Sequence, residues 1–324
     1  MLVLTRADLE RVLEPAAVII AVESAFREAA AGRAPGLPRA VLPMAKGGVF
    51  LGMISALPRA QALGAKLVSV VKANRKRGLP TLHASYVLSD PETGVPLAFM
   101  EAGFLTAIRT GAASAVAAKY LARPDSRRLA CFGAGVQAEF QLRCLKAILP
   151  VESVAVVGRD PARAQAFAAR MRGALGVPVE VARDRRTAVR EADVVTCATT
   201  SSRPVFAGRD LRPGAHVDAV GAFRPTTREV DTETVQRARV VVDTYHGAWA
   251  EAGDLLIPIK AGAITRRHVR AELAEVVARK KPGRTCPDEI TFFKSVGWAP
   301  EDAASARLGY DRAMARGIGT EVSL

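Results

Sequence analysis

Cysteine, histidine and the larger aromatics are scarce in this 324-residue chain: four Cys, four His, four Tyr and two Trp. Cys131, Cys144, Cys197 and Cys286 are far apart, with no C-x-x-C pair and no histidine at metal-ligand spacing. Neither a disulfide framework nor a zinc site is expected, and no metal ligand is assigned. Cys131 and Cys197 fall in apolar runs, where free cysteine serves as a small hydrophobe. No uncharged apolar stretch approaches the roughly 18–20 residues that span a bilayer. Residues 1–6 lack the basic start and long apolar run of a signal peptide. A cytoplasmic protein with no membrane partner is the expectation.

Negative charge is also short, with 32 Asp and Glu against 46 Lys and Arg, for a net charge of +14. Such an excess can mark nucleic-acid binding when it is clustered. Here the densest runs, 72–77 and 183–190, are short, and few aromatics are available for base stacking. No specific nucleic-acid partner is expected. A positive field also attracts an anionic cofactor and a carboxylate substrate.

The length allows two domains, each with its own core. Thr5-Arg6-Ala7-Asp8 has capping-box spacing and opens a short helix to about Leu13; Pro15 then suits the first turn of a longer one ending near Gly32. Strand-like runs follow at 39–42, 49–56, 65–71, 84–88 and 96–100, separated by turn signals. This half reads as an α+β domain with a largely antiparallel sheet. After an Ala-rich helix from Thr110 to about Leu121, strand-like runs at 129–132, 153–157, 177–181, 194–198, 216–220 and 240–243 alternate with helical segments. That alternation predicts a doubly wound parallel sheet, a Rossmann α/β domain. Helical patterns return at 266–280 and from about Pro300 to Ala315.

Gly133-Ala134-Gly135-Val136-Gln137-Ala138 lies between the apolar strand at 129–132 and a helix-forming run at 139–149. A second strand follows at βαβ spacing, which is the context a dinucleotide-binding turn requires. Gly133 permits the tight turn, Gly135 lets the backbone approach a pyrophosphate, and Ala138 allows close helix–strand packing. The helix N-terminus offers free N–H groups and its positive dipole end. At the end of the second strand an NAD enzyme carries an acid for the ribose hydroxyl. This chain reads Val157-Gly158-Arg159-Asp160, with Arg163 four residues beyond Arg159. Arg159 and Arg163 suit a 2′-phosphate, so NADP(H) is favoured over NAD(H). The alternative is that Asp160 turns inward to the ribose while both arginines are solvated. Thr199, Thr200 and Ser201 end the fourth strand of the parallel sheet, at the edge where ligands sit.

The chain resembles the ornithine cyclodeaminase/μ-crystallin family along nearly its whole length. The resemblance rests on 105–114 (LTAIRTGAAS), 133–138 (GAGVQA), 213–221 (PGAHVDAVG), 251–254 (EAGD) and 291–297 (TFFKSVG). It implies a homodimer whose substrate and dimerisation domain is residues 1–112 completed by 303–324, with the NADP-binding domain, 113–302, inserted between. It implies a small amino or cyclic imino acid as substrate, with Arg39, Lys66 and Arg109 as the basic residues that contact it. Arg109 is also an isolated charge in an Ala/Thr/Gly-rich helix, and a buried guanidinium needs an anionic partner. The alternatives are a snorkelling edge-strand lysine for Lys66 and a surface arginine for Arg39. Thr110 and Gly111 match positions that contact cofactor phosphate, and Val220, Gly221, Ser295 and Gly297 are expected near the nicotinamide. For each of these the bland reading is a cap or turn residue. His83 is a possible acid near the pocket, more often a satisfied structural histidine.

Two departures matter. Where the family's cyclodeaminases place an Asp after the fifth strand, this chain has Phe223, which cannot transfer a proton. An acidic position of some members is Met53 here. The remaining pattern resembles the imino-acid reductase branch, which implies NADPH-dependent reduction of Δ1-pyrroline-2-carboxylate or Δ1-piperideine-2-carboxylate to L-proline or L-pipecolate. Competing expectations are an NAD(P)-dependent alanine-type dehydrogenase, a cyclodeaminase, and a non-catalytic binding protein of the μ-crystallin kind.

Overall fold

In the computed structural model, which describes residues 1–323, the chain forms two compact units. One is Met1–Arg109 together with the segment from Trp298 onward; the other is Thr110–Gly297. The cuts expected after 112 and 302 lie a few residues further along.

The first unit carries β1 (Leu2–Leu4), α1 (Arg6–Val12), α2 (Pro15–Ala30), β2 (Ala40–Pro43), β3 (Val49–Leu57), β4 (Ala62–Val70), β5 (Leu82–Ser89) and β6 (Pro96–Glu101). Thr5 caps α1 in the expected box, its hydroxyl accepting from the Asp8 N–H while Asp8 accepts from the Thr5 N–H. The seven-stranded sheet runs in the order Thr320–Glu321, β1, β6, β5, β4, β3, β2. It is antiparallel except for β1 beside β6. Both outlying strands escaped the sequence reading because two or three residues carry no periodicity.

Strand alternation gives this sheet two different faces. Met53, Lys66, Tyr86 and Met100 are successive register neighbours across β3, β4, β5 and β6, all buried. Helix Ala299–Arg316 packs on β3, β4 and β5. One residue away, Ile54, Ala65, Val87 and Phe99 form the matching row of the opposite face. There Ile54 and Phe99 are more than 40% exposed, and so is Leu67 on the same face.

Helix α3 (Ala102–Leu121) begins directly after β6, with Glu101 accepting from the Gly103 and Phe104 N–H groups. Sequence reading started this helix at Thr110, eight residues late, because Gly103 and β-branched Thr106 and Ile108 weaken local helix propensity. Tertiary burial of Leu105, Ala107 and Ile108 overrides that weakness.

The second unit contains β7 (Arg128–Phe132), α4 (Val136–Lys146), β8 (Ser153–Val157), α5 (Pro161–Leu175), β9 (Val179–Val181), α6 (Arg185–Glu191) and β10 (Val194–Cys197). It continues with β11 (His216–Ala219), α7 (Thr232–Arg237), β12 (Ala238–Val242), α8 (Tyr245–Glu251), α9 (Gly253–Lys260), β13 (Val269–Glu272), α10 (Leu273–Val277) and β14 (Ile290–Lys294). The sheet is wholly parallel, in the order β9-β8-β7-β10-β11-β14-β12-β13. The first strand, β7, is central, and the winding reverses between β7 and β10. Their carboxyl ends therefore form the crevice where such sheets bind ligands.

Two expectations fail here. Residues 266–280 are not one helix: a 3-10 turn, strand β13 and the short α10 share them. Helix-forming Ala and Glu disguise a four-residue strand whose inward positions are Val269 and Ala271. Strand β14 was read only as a motif. It lies between β11 and β12 with every residue buried, so it shows no alternation to recognise.

Among the described residues no helix is long and apolar enough to cross a membrane.

Candidate active site

Lys66 sits at mid-strand on β4, flanked by β3 and β5, so the edge-strand reading is excluded. Its Nζ lies 2.7 Å from the Asp302 carboxylate, and each side chain is 1% exposed. Asp302 also reaches Arg109 Nε at 3.0 Å, while Arg109 Nη1 donates to Glu301 at 2.6 Å. The two acids open the Ala299–Arg316 helix immediately after Pro300. Burial depresses the Lys66 ammonium to about 7; the neighbouring Arg109 adds to the shift, Asp302 opposes it, and Arg39 contributes to the lowering. Arg39, half-buried just before β2, is thus within electrostatic reach of Lys66. The three basic residues singled out from the sequence belong to one charged cluster.

Met53 is directly across the ladder from Lys66, so a thioether rather than a carboxylate faces it there. Tyr86 is the register partner on the other side. Its phenol is raised well above its ordinary value by burial and by Asp302. A Cβ on Gly64 would fall 2.4 Å from the Tyr86 hydroxyl, so glycine is what lets the ring lie across β4.

In the second unit, Gly133 has φ +120°, and a Cβ there would meet the Ala198 carbonyl oxygen at 2.5 Å. Only glycine closes that turn without strain. Gly135 ends the turn as N-cap of α4 with no side-chain capping bond, and a Cβ there would meet nothing within 4 Å. The first N–H groups of α4 are thus left without a side-chain cap, as an anion site requires. Gln137, in the first turn, has a buried side-chain oxygen without a hydrogen-bond partner. An uncapped helix start, an open glycine and an orphaned polar atom together fit a dinucleotide pyrophosphate. Ala134 is half-buried and Val136 53% exposed in this turn.

Arg159 and Arg163 are both exposed at the β8–α5 junction. Asp160 caps α5 by accepting from the Arg163 N–H at 3.2 Å. Gly158 is required by packing, since a Cβ would sit 2.7 Å from that of Ala164.

Thr199, after β10, and Gly221, after β11, meet face to face: a Cβ on Gly221 would overlap the Thr199 carbonyl oxygen at 2.2 Å. Thr200 is exposed, Ser201 donates to the Arg203 carbonyl, and the Val220 N–H donates to the Cys197 carbonyl. Ser295 spends its hydroxyl on Asp243 at 2.9 Å, and that carboxylate also accepts from the Val296 and Gly297 N–H groups. The Ser295–Gly297 turn is therefore held from β12, and the Ser295 side chain acts inside it. Thr110 is buried, and Gly111 packs on α4, where a Cβ would strike the Phe140 carbonyl oxygen at 2.4 Å. Phe223 is partly buried against the core of this unit.

His83 is a correction. It is exposed on the face of β5 opposite to Lys66 and Tyr86, neither a satisfied structural histidine nor part of the charged cluster. His246 is likewise exposed. Sequence reasoning missed Glu301 and Asp302, because two acids in a helix's first turn read as ordinary dipole complements. It also missed Glu229 and Lys294. Glu229 accepts from Thr199 N and Oγ at 2.7 Å each, from Gly221 N at 2.6 Å and from Ala222 N at 3.2 Å. Lys294 donates to the Ala219 and Ala222 carbonyls and pairs with Asp254 at 2.9 Å. Asp254 in turn accepts from the Glu229 and Val230 N–H groups. It fixes the backbone of the loop before α7.

Residues 1–317 match the model of the ornithine cyclodeaminase/mu-crystallin family. A Delta(1)-pyrroline-2-carboxylate reductase of Bacillus cereus is 38% identical over 99% of both chains. The structure of the Thermococcus litoralis Delta(1)-pyrroline-2-carboxylate reductase with NADH and L-proline superposes with a TM-score of 0.97 at 44% identity, covering 99% of this chain and 100% of that one. An archaeal alanine dehydrogenase dimer with bound NAD gives a TM-score of 0.94 at 34% identity, over 100% and 99% of the two chains. The chain belongs to the ornithine cyclodeaminase/mu-crystallin family.

Proposed function

We propose that this member of the ornithine cyclodeaminase/mu-crystallin family is a nicotinamide-dependent ketimine reductase. Its substrate is a cyclic imino acid, Δ1-pyrroline-2-carboxylate or Δ1-piperideine-2-carboxylate, and its product L-proline or L-pipecolate. The observation that carries this reading is the buried pairing of Lys66 and Arg109 with Glu301 and Asp302, with half-buried Arg39 within electrostatic reach of Lys66. With Lys66 protonated, three positive charges against two negative ones give the cluster a net positive charge that suits a monocarboxylate. The resemblance to reductases that act on such imines supports the same choice.

Bound reduced nicotinamide supplies the hydride, and a protonated C=N bond accepts it with little further activation. The protein's part is positioning. Arg109, locked by two carboxylates, presents a rigid fork to the substrate carboxylate, and Arg39 adds a second contact. Lys66, with an ammonium that loses its proton near neutrality, polarises the imine or hands it a proton. Phe223 stands where the family resemblance places the acid of cyclodeamination, which favours reduction.

The dinucleotide is held by Gly133, Ala134, Gly135, Val136 and Gln137 at its phosphates, with Thr110 and Gly111 nearby. Thr199, Thr200, Val220, Gly221, Ser295 and Gly297 serve the nicotinamide half. NADP(H) is favoured over NAD(H), because Arg159 and Arg163 are solvent-facing and Asp160 is engaged as a helix cap. A second copy of the chain covers the exposed apolar row of the first unit's sheet, giving a homodimer.

Oxidation of NADPH, run beside NADH, tests this with the two cyclic imines in one arm and pyruvate plus ammonia in the other. Turnover of a cyclic imine supports the reading. Turnover of pyruvate and ammonia alone would instead make the protein an alanine-type dehydrogenase.

A further inference from the structure

The carboxylate of Glu229 is fully buried, yet it lies in the loop between β11 and α7 rather than in a strand or helix. It takes in every donor that the ends of two neighbouring strands present to it. Oε1 accepts from the Thr199 N–H and hydroxyl, and Oε2 accepts from the N–H groups of Gly221 and Ala222. One side chain therefore ties the loop after β10 to the loop after β11. Gly221 is glycine for the same reason, since a Cβ would crowd the Thr199 backbone and Glu229 Oε1 within 2.6 Å. Behind this knot, Lys294 at the end of β14 holds the Ala219 and Ala222 carbonyls. It also pairs with Asp254, whose other oxygen fixes the Glu229 backbone. Four donors into one carboxylate favour the anion.

Burying this charge is expensive. Burial pushes the Glu229 carboxyl up to about 7, with Lys294 opposing the shift and Asp254 adding to it. Buried carboxylates hold loops elsewhere in this unit too, Asp243 at the Ser295–Gly297 turn and Asp254 at the Glu229 backbone, so it is the place of the Glu229 knot, not its burial alone, that points to the site. The loops it joins lie at the carboxyl ends of β10 and β11, beside the winding reversal.

We propose that Glu229 is a positioning residue for hydride transfer: it locks the Thr199 and Gly221 loops into a single rigid seat for the nicotinamide half of the dinucleotide. The hydrogen bonds of Glu229 go to Thr199, Gly221 and Ala222 and not to the phosphate turn at Gly133–Gln137, whose Gly133 N–H donates to the Val157 carbonyl at the end of β8 and which packs on the Ala198 carbonyl. This inference rests on the nicotinamide reading above. It assigns to an unremarked loop acid the geometry that Thr199 and Gly221 present.

The test is a pair of binding titrations on Glu229→Gln. One uses NADPH, or NADH if the unmodified protein binds that better; the other uses the matching ADP-ribose, with or without its 2′-phosphate, which lacks only the nicotinamide. Gln keeps the shape but offers N–H donors where Gly221 or Thr199 also donates. NADPH binding should weaken about tenfold, the scale of a lost charge-assisted hydrogen bond, while ADP-ribose binding holds. The kcat should fall with the KM for imine unchanged. Equal weakening of both ligands, or of neither, overturns the proposal. Should Glu229→Gln fail to fold, Thr199→Val decides it, removing one donor with the same selective loss expected at smaller size. Failure of the unmodified protein to bind either dinucleotide would sink the functional reading instead, which keeps the two failures apart.

Discussion

Asp302 is the shared partner of Lys66 and Arg109: one carboxylate meets Lys66 Nζ at 2.7 Å and Arg109 Nε at 3.0 Å, all three side chains being buried. This makes Lys66 sensitive to a residue 236 positions away in sequence. Lys66 is protonated below about 7 in the free protein, so kcat/KM, which reports the free enzyme, should be flat at lower pH and fall as pH rises through that value. Asp302 raises the Lys66 value against the lowering by Arg109 and Arg39. In Asp302→Asn that support is gone, and the descending limb should move to lower pH with kcat/KM reduced about tenfold or more. A pH–rate profile whose limb stays in place would remove Lys66 from the proton-handling role.

Arg109 separates geometry from charge. Arg109→Lys keeps a cation for Glu301 and Asp302 but loses the planar fork, so the KM for the imino acid should rise about tenfold to a hundredfold with little change in melting temperature. Arg109→Ala strands two buried carboxylates, and a stability loss of about 3–5 kcal/mol is expected in denaturant titration. A lysine variant with unaltered KM would contradict the carboxylate clamp.

Cofactor choice turns on the β8–α5 junction. Arg159→Ala should raise the KM for NADPH about tenfold, the loss of one charge-assisted phosphate contact, and leave NADH almost unaffected. Steady-state kinetics with both dinucleotides checks this. Equal effects on both, or a parent protein that prefers NADH, would overturn the 2′-phosphate role of Arg159.

The exposed apolar row of Ile54, Ala65, Val87 and Phe99 makes a prediction about assembly. Phe99→Asp places a charge in its middle and should convert a dimer to a single chain in size-exclusion chromatography with light scattering. Burying an unpaired carboxylate in an interface is strongly unfavourable. An unmodified protein that already elutes as a monomer would leave that face without its proposed second copy.

Much of this was legible in the sequence, and the exceptions share a cause. Gly133–Ala138 was readable because a glycine turn between strand and helix is a local pattern, and the structure has the tight turn and uncapped helix start that such a pattern demands. Lys66 and Arg109 stood out as charges among apolar neighbours. Their partners, Glu301 and Asp302, did not, because nothing local says that a helix starting near Pro300 returns to strands β3 and β4. Glu229, Asp254 and Lys294 come from three separated segments, and only the parallel sheet brings them together. Strand β14 was lost for the opposite reason, being buried on both faces and so without rhythm. Strand β13 was lost because its four residues sit in a helix-like stretch. Pairings across the chain, rather than patterns along it, are what the sequence conceals.

The central claim is that a hydride passes to the imine carbon of a cyclic amino-acid precursor. It is tested most directly by single turnover with NADPH deuterated at the transferable C4 position and Δ1-pyrroline-2-carboxylate as acceptor, followed by mass spectrometry of the product. The account predicts L-proline carrying one deuterium at its α-carbon. Unlabelled proline, or label recovered only in alanine when pyruvate and ammonia are supplied, would contradict it.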